Sequence, residues 1–228
     1  MIKDSLYYAK ILLFGEYGII EDSMGLSIPY HFFKGNFDFA SEPTAVQKAS
    51  NQSIREYVSH LEMLNASKDL PCAMDFGRLR SDLDAGLFFD SSIPQGFGVG
   101  SSGALVAAIY NQYAFAPIAQ ADIMQGDRLS ELKATLAKLE SFFHGKSSGI
   151  DPLICYMNLP ILIESKESVD KVAIPASEAG KGAIFLIDSG MTGETGPMVQ
   201  IFFEKMKTEG FRKTLKEEFI RYNNACID

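Results

Sequence analysis

Histidine and cysteine are scarce in this 228-residue chain, three of each, and tryptophan is absent. Cys72, Cys155 and Cys226 are odd in number, widely spaced and without a partner at metal-ligand spacing. That excludes a disulfide framework and a zinc site, and reads as reduced thiols of a cytoplasmic protein. No run of about 18 apolar residues occurs, so no membrane span is expected. The start of the chain carries Asp4 and enters a strand-like segment directly, without the basic and apolar regions of a secretory signal. Positive charge is also short: the net charge of −8 excludes a nucleic-acid surface, while leaving room for local basic groups that handle anionic metabolites. No internal repeat or low-complexity segment is found.

Glycine, by contrast, is concentrated where it matters. The stretch Ile93-Pro94-Gln95-Gly96-Phe97-Gly98-Val99-Gly100-Ser101-Ser102-Gly103 runs into the apolar segment Ala104–Tyr110. Glycines let a backbone approach an anion with its N–H groups turned inward, and a following helix adds free donors and its positive dipole end. The stretch lacks the lysine of a Walker loop after Gly100 and the third glycine and distal acid of a dinucleotide fingerprint. On the residues alone, Ser101 and Ser102 either contact phosphate or metal, or only cap the helix.

The element pattern is α+β. Strands are expected over 5–14, over 26–39 with a turn at Lys34-Gly35-Asn36, over 86–93, and near 159–164, 170–174 and 182–188. Helices are expected from Pro43 to Leu64, over 102–115, 127–143, 195–208 and 212–224. In the third of these, Leu129, Leu132, Leu136, Leu139 and Phe143 form a stripe, and Glu140 sits beside it. A carboxylate near a buried face needs a partner, either a hard cation such as Mg²⁺ or a lysine such as Lys133 or Lys138. Asp151, before Pro152, reads as a helix N-cap or as a general base. Lys10 lies between Ala9 and the apolar run Ile11–Phe14, an odd place for an idle lysine.

Three segments carry a family resemblance. Pro94-x-Gly96-x-Gly98-x-Gly100-Ser101-Ser102-x-Ala104 resembles the phosphate loop of the GHMP kinases, a superfamily that includes galactokinase, homoserine kinase, mevalonate kinase and phosphomevalonate kinase. Val99 and Gly103 stand where many members have Leu and Ala. Glu140-x3-His144-Gly145-x2-Ser148-Gly149-x-Asp151 resembles a mevalonate-kinase pattern, and Lys10-Ile11-Leu12-Leu13-Phe14-Gly15-Glu16-Tyr17 resembles the family's N-terminal segment. The resemblance implies a GHMP kinase fold: an N-terminal domain like ribosomal protein S5 over residues 1–166, and an incomplete ferredoxin-like domain over 167–228.

It further implies ATP and Mg²⁺ as cofactors and mevalonate or phosphomevalonate as the small-molecule substrate. Asp151 and Lys10 would be catalytic. Pro94, Gly96, Gly98, Gly100, Ser101, Ser102 and Gly103 would bind nucleotide, with Ser102 and Glu140 on the metal. Glu16, Tyr17 and His144 would face the acceptor. Tyr17 stands where mevalonate kinases have His, and phosphomevalonate kinases often have Tyr there, so the acceptor stays open between them. The turn Ile187-Asp188-Ser189-Gly190-Met191-Thr192-Gly193-Glu194-Thr195 resembles one that opens the later part of the family's second domain. The family's third, glycine-rich motif has no counterpart: after Gly196 the only glycine is Gly210. The expectations are then a shortened chain with exposed apolar surface, prone to self-association and compatible with a homodimer, and, as an alternative, a non-catalytic nucleotide or metabolite binder.

Overall fold

A computed structural model describes residues 5–123, 127–165, 168–173, 186–188, 190–193 and 195–228. They form two compact units interleaved in sequence. The first comprises residues 1–10, 29–94 and 100–158, and the second comprises 11–28, 95–99 and 159–228. The domain boundary expected after residue 166 lies outside the described residues. Two strands, β1 (Tyr7–Phe14) and β2 (Gly25–Phe39), contribute to both units.

In the first unit the far half of β2 pairs antiparallel with β3 (Leu87–Ser91), from Gly35 opposite Ser91 to Phe39 opposite Leu87. The turn expected at Lys34–Asn36 is not there, and β2 runs straight through it. Gly35 serves packing instead: a Cβ on it would sit 2.5 Å from Cζ of Phe89 on the neighbouring strand. A glycine inside a strand marks such a close approach as readily as a turn.

Five helices complete this unit. Helix α1 (Ala45–Ala66) opens with a capping box: Thr44 Oγ1 accepts from Gln47 N, and Gln47 Oε1 accepts from Thr44 N. Its buried residues Ile54, Tyr57, Val58 and Leu61 follow helical spacing. Helix α2 (Phe76–Asp84), not anticipated above, starts at Asp75, whose carboxylate accepts from Arg78 N at 2.9 Å, and it buries Leu79 and Leu83. Helix α3 (Ser101–Tyr113) is the central one, with Ala104, Val106, Ala107, Ala108 and Ile109 all fully buried. Helix α4 (Arg128–His144) buries Leu129, Leu132, Leu136 and Leu139, as its stripe predicts. Each such leucine contributes about 1.5–3 kcal/mol on burial. The Tyr57 hydroxyl donates to the Leu139 carbonyl at 3.0 Å and fixes α4 on α1 next to Glu140. Helix α5 (Ile150–Met157) is buried almost throughout.

In the second unit the near end of β2 pairs antiparallel with β4 (Ile161–Ile163), which pairs with β5 (Val169–Lys171). The remainder of the strands expected at 170–174 and 182–188 falls partly outside the described residues, as do Ser189 and Glu194 of the expected turn. Helix α6 spans Thr195–Met206. Helices α7 (Glu209–Thr214) and α8 (Ile220–Ile227) are joined by a π turn over Leu215–Phe219, so a single helical segment replaces the shorter one expected at 212–224. Ile201 and Phe203 on α6 and Tyr222 on α8 are about half exposed or more.

Candidate active site

Gly96, Gly98 and Gly100 all have positive φ, at 79°, 69° and 83°, which only glycine adopts without strain. Pro94 is half-buried and leads into this loop, and the Gly96 carbonyl accepts from Gly193 N at 2.8 Å. Gly100 is the N-cap of α3 in the left-handed conformation, and no side chain caps the helix. Ser101 and Ser102 therefore do not serve the capping role that the sequence left open. The leading N–H groups of α3 are presented to whatever binds there, with the positive end of the helix dipole behind them.

The Ser102 hydroxyl is directed elsewhere. It donates to Glu140 Oε1 at 3.1 Å, and His144 Nε2 lies 3.1 Å from Ser102 Oγ. A serine has one proton to give, so with that proton on Glu140 the histidine is the donor in the second contact. Glu140 is 3% exposed. Its other oxygen, Oε2, accepts from Ser147 Oγ at 2.5 Å. Burial first, then repulsion from Asp151, pushes its carboxyl up to about 7, against the pull of the two serine hydrogen bonds and of Lys10. The lysine pairing that the sequence offered for Glu140 is replaced by these two hydroxyls.

Across α3 lies an ion pair. Lys10 on β1 is 8% exposed, and its Nζ stands 3.0 Å from Asp151 Oδ1. Asp151 is not the N-cap of α5. That place is taken by Gly149, left-handed at φ 75°, and Asp151 follows two positions later with its carboxylate free to reach Lys10. Gly149 is wedged on α4: a Cβ there would meet the Lys133 carbonyl at 2.2 Å. Gly103 has the same character. A Cβ on it would come within 2.9 Å of the Asp151 carbonyl carbon and of Pro152 N, so α3 and α5 touch backbone to backbone at this point. Its first role is to let the Ser102 and Asp151 helices meet. Gly100 is likewise pressed against Lys10, with 2.8 Å between a would-be Cβ and Lys10 Cγ.

Lys10, Gly100, Ser101, Ser102, Gly103, Glu140, His144 and Asp151 thus all belong to the first unit. Glu16 and Tyr17 belong to the second, at a single 3₁₀ turn over Gly18–Glu21. Glu16 is exposed. Tyr17 has a left-handed backbone, φ 57°, and stacks on Phe202 at 5.3 Å. Two neighbours of the site went unmarked in the sequence. Cys155 is buried with Sγ 3.7 Å from the Gly100 carbonyl, and burial raises its thiol well above the ordinary range, leaving it unreactive. Ser147 lies in a quoted motif but at a position the motif leaves unspecified.

Glu140 and Ser102 offer a hard, all-oxygen donor set around a buried carboxylate, which fits Mg²⁺. No group of three or more His, Cys, Asp or Glu capable of holding a metal exists among the described residues.

Residues 61–158 match the family model for the GHMP kinases N terminal domain, a span holding Ser102, Glu140, His144 and Asp151. That segment is similar to the GHMP kinases' N-terminal domain, and it holds four of the residues brought together above. Among solved structures it is similar to the Methanococcus jannaschii mevalonate kinase, with a TM-score of 0.51 and 13% identity, over 98% of this chain and 70% of that one. At that identity the likeness is one of fold. No curated protein sequence matches the chain.

Proposed function

We propose that the protein is an ATP- and Mg²⁺-dependent kinase that phosphorylates the primary hydroxyl of mevalonate, a step toward isoprenoids. The observation that carries this reading is the Lys10–Asp151 pair, set one helix contact away from the Ser102–Glu140 pair. Phosphoryl transfer asks for a phosphate cradle, a metal-side carboxylate and an aligned acceptor, and this cluster supplies residues for each.

The leading N–H groups of α3 hold the phosphates. Ser102 and Glu140 would hold Mg²⁺, which would supply charge neutralisation to the phosphates. Asp151 accepts the proton of the acceptor hydroxyl as the acceptor oxygen bonds to the γ-phosphorus and the bond from that phosphorus to the departing ADP breaks. Lys10 keeps Asp151 ionised and stabilises charge building on the oxygen. His144 orders Ser102, and the family resemblance assigns Glu16 and Tyr17 to the acceptor. Tyr17 also favours a second reading, in which phosphomevalonate is the acceptor. A cytoplasmic location goes with either. Among the described residues no helix is long and apolar enough to cross a membrane.

The test is ADP release with ATP and Mg²⁺, with mevalonate and phosphomevalonate assayed separately. Turnover with one names the acceptor. Nucleotide binding without turnover, in wild type and in Asp151→Ala alike, would replace the kinase by a binding module.

A further inference from the structure

Ser147 sits between the two halves of this site. Its hydroxyl donates to Glu140 Oε2 at 2.5 Å and accepts the N–H of Gly149 at 3.0 Å. Gly149 is the left-handed cap from which α5 and Asp151 start. One hydroxyl therefore joins the carboxylate on α4 to the N-cap of the helix that carries Asp151. Glu140 is nearly fully buried, so the orientation of its carboxylate is set by hydrogen bonds rather than by water. Ser102 takes Oε1 and Ser147 takes Oε2. Residue 148 cannot stand in: Ser148 is exposed, and its hydroxyl is 3.4 Å from Ile150 N.

We propose that Ser147 is a positioning residue of the metal–nucleotide site, holding Glu140 Oε2 so that Oε1 and Ser102 are the oxygens offered to a divalent cation. The assignment rests on the kinase reading given above. Partners that orient a metal-binding carboxylate typically govern metal affinity by about 10–100-fold. A hydroxyl that only closed a loop would affect stability and leave the metal dependence alone.

The experiment compares ATP binding to the full chain by calorimetry, in EDTA and in Mg²⁺, for wild type, Ser147→Ala, Ser147→Thr and Ser148→Ala, with melting curves for each. The expected result is that Mg²⁺ tightens ATP binding to wild type, Ser147→Thr and Ser148→Ala alike. In Ser147→Ala that gain falls by about tenfold or more, while binding in EDTA changes by less than about twofold. In turnover, Ser147→Ala lowers kcat and leaves the acceptor KM in place. A full Mg²⁺ gain in Ser147→Ala overturns the assignment. So does a loss that Ser147→Thr does not restore and that tracks a lowered melting temperature. If Ser147→Ala does not fold, Ser147→Cys, with its weaker donor, carries the same comparison. Wild type showing no Mg²⁺ gain at all overturns the kinase reading itself, an outcome distinct from the failure of Ser147 alone.

Discussion

Two pairs of helices in the first unit begin in opposite ways. Helices α1 and α2 close their first turns with their own side chains, through the Thr44–Gln47 box and through Asp75. Helices α3 and α5 begin on left-handed glycines, Gly100 and Gly149, which have no side chain to offer. The capped pair only carries structure. The glycine-started pair carries residues of the candidate site, and the polar side chains of its first turns, Ser102 and Asp151, are committed to Glu140 and Lys10. Open N–H groups cost stability in the free protein, and a bound anion would satisfy them.

The comparison can be broken most forcefully at Asp151. Asp151→Ala should lower turnover by about 10²–10⁴-fold while ATP binding persists, as measured by ADP release and calorimetry. Unchanged turnover would remove the general base from the account. Gly149→Ala comes next. Its positive φ and the 2.2 Å approach to the Lys133 carbonyl predict a loss of about 2–4 kcal/mol in urea unfolding.

Glu140→Gln should act in the opposite direction on stability. With a carboxyl near 7 against an ordinary 4.5, the folded free protein holds this proton more tightly than the unfolded chain does. The resulting stability is fully present below about pH 4.5 and is lost as pH rises through 7. The Gln variant should therefore be more stable than wild type at pH 8, by on the order of 2–3 kcal/mol, and should lose the Mg²⁺ gain in ATP binding. A stability difference between the two proteins that stays constant from pH 5 to 8 would show that Glu140 titrates normally. The smallest effects sharpen the contrast itself. Thr44→Ala should cost about 1 kcal/mol, and Ser101→Ala, which removes no cap, should stay within about 0.5 kcal/mol.

The contacts of the candidate site were legible in the sequence where spacing and chemistry coincide. The α4 stripe announced its helix, Glu140 beside it needed a partner, and the glycine-rich run led into α3. Less legible were features set by contacts distant in sequence. Gly35 read as a turn because the Phe89 ring against it lies on another strand. Helix α2 is short, and only Asp75 with Leu79 and Leu83 behind it signalled a start and a buried face. Asp151 before Pro152 resembled a cap, yet Gly149 had already taken that place. Ser147 gave no sign at all, because its partner Glu140 is reached through a loop rather than along a helix face.

Gly103 turns a missing methyl group into a ruler. The separation between Ser102 and Asp151 is set where a single hydrogen of one helix meets the backbone of the next. Alanine there would need the Asp151 peptide to retreat by about half an ångström to reach ordinary contact, and displacements approaching an ångström are enough to cost about 100-fold in rate. The site could thus be detuned without altering a charge, a hydroxyl or a metal ligand, and such a variant would retain its whole complement of functional groups at the wrong spacing.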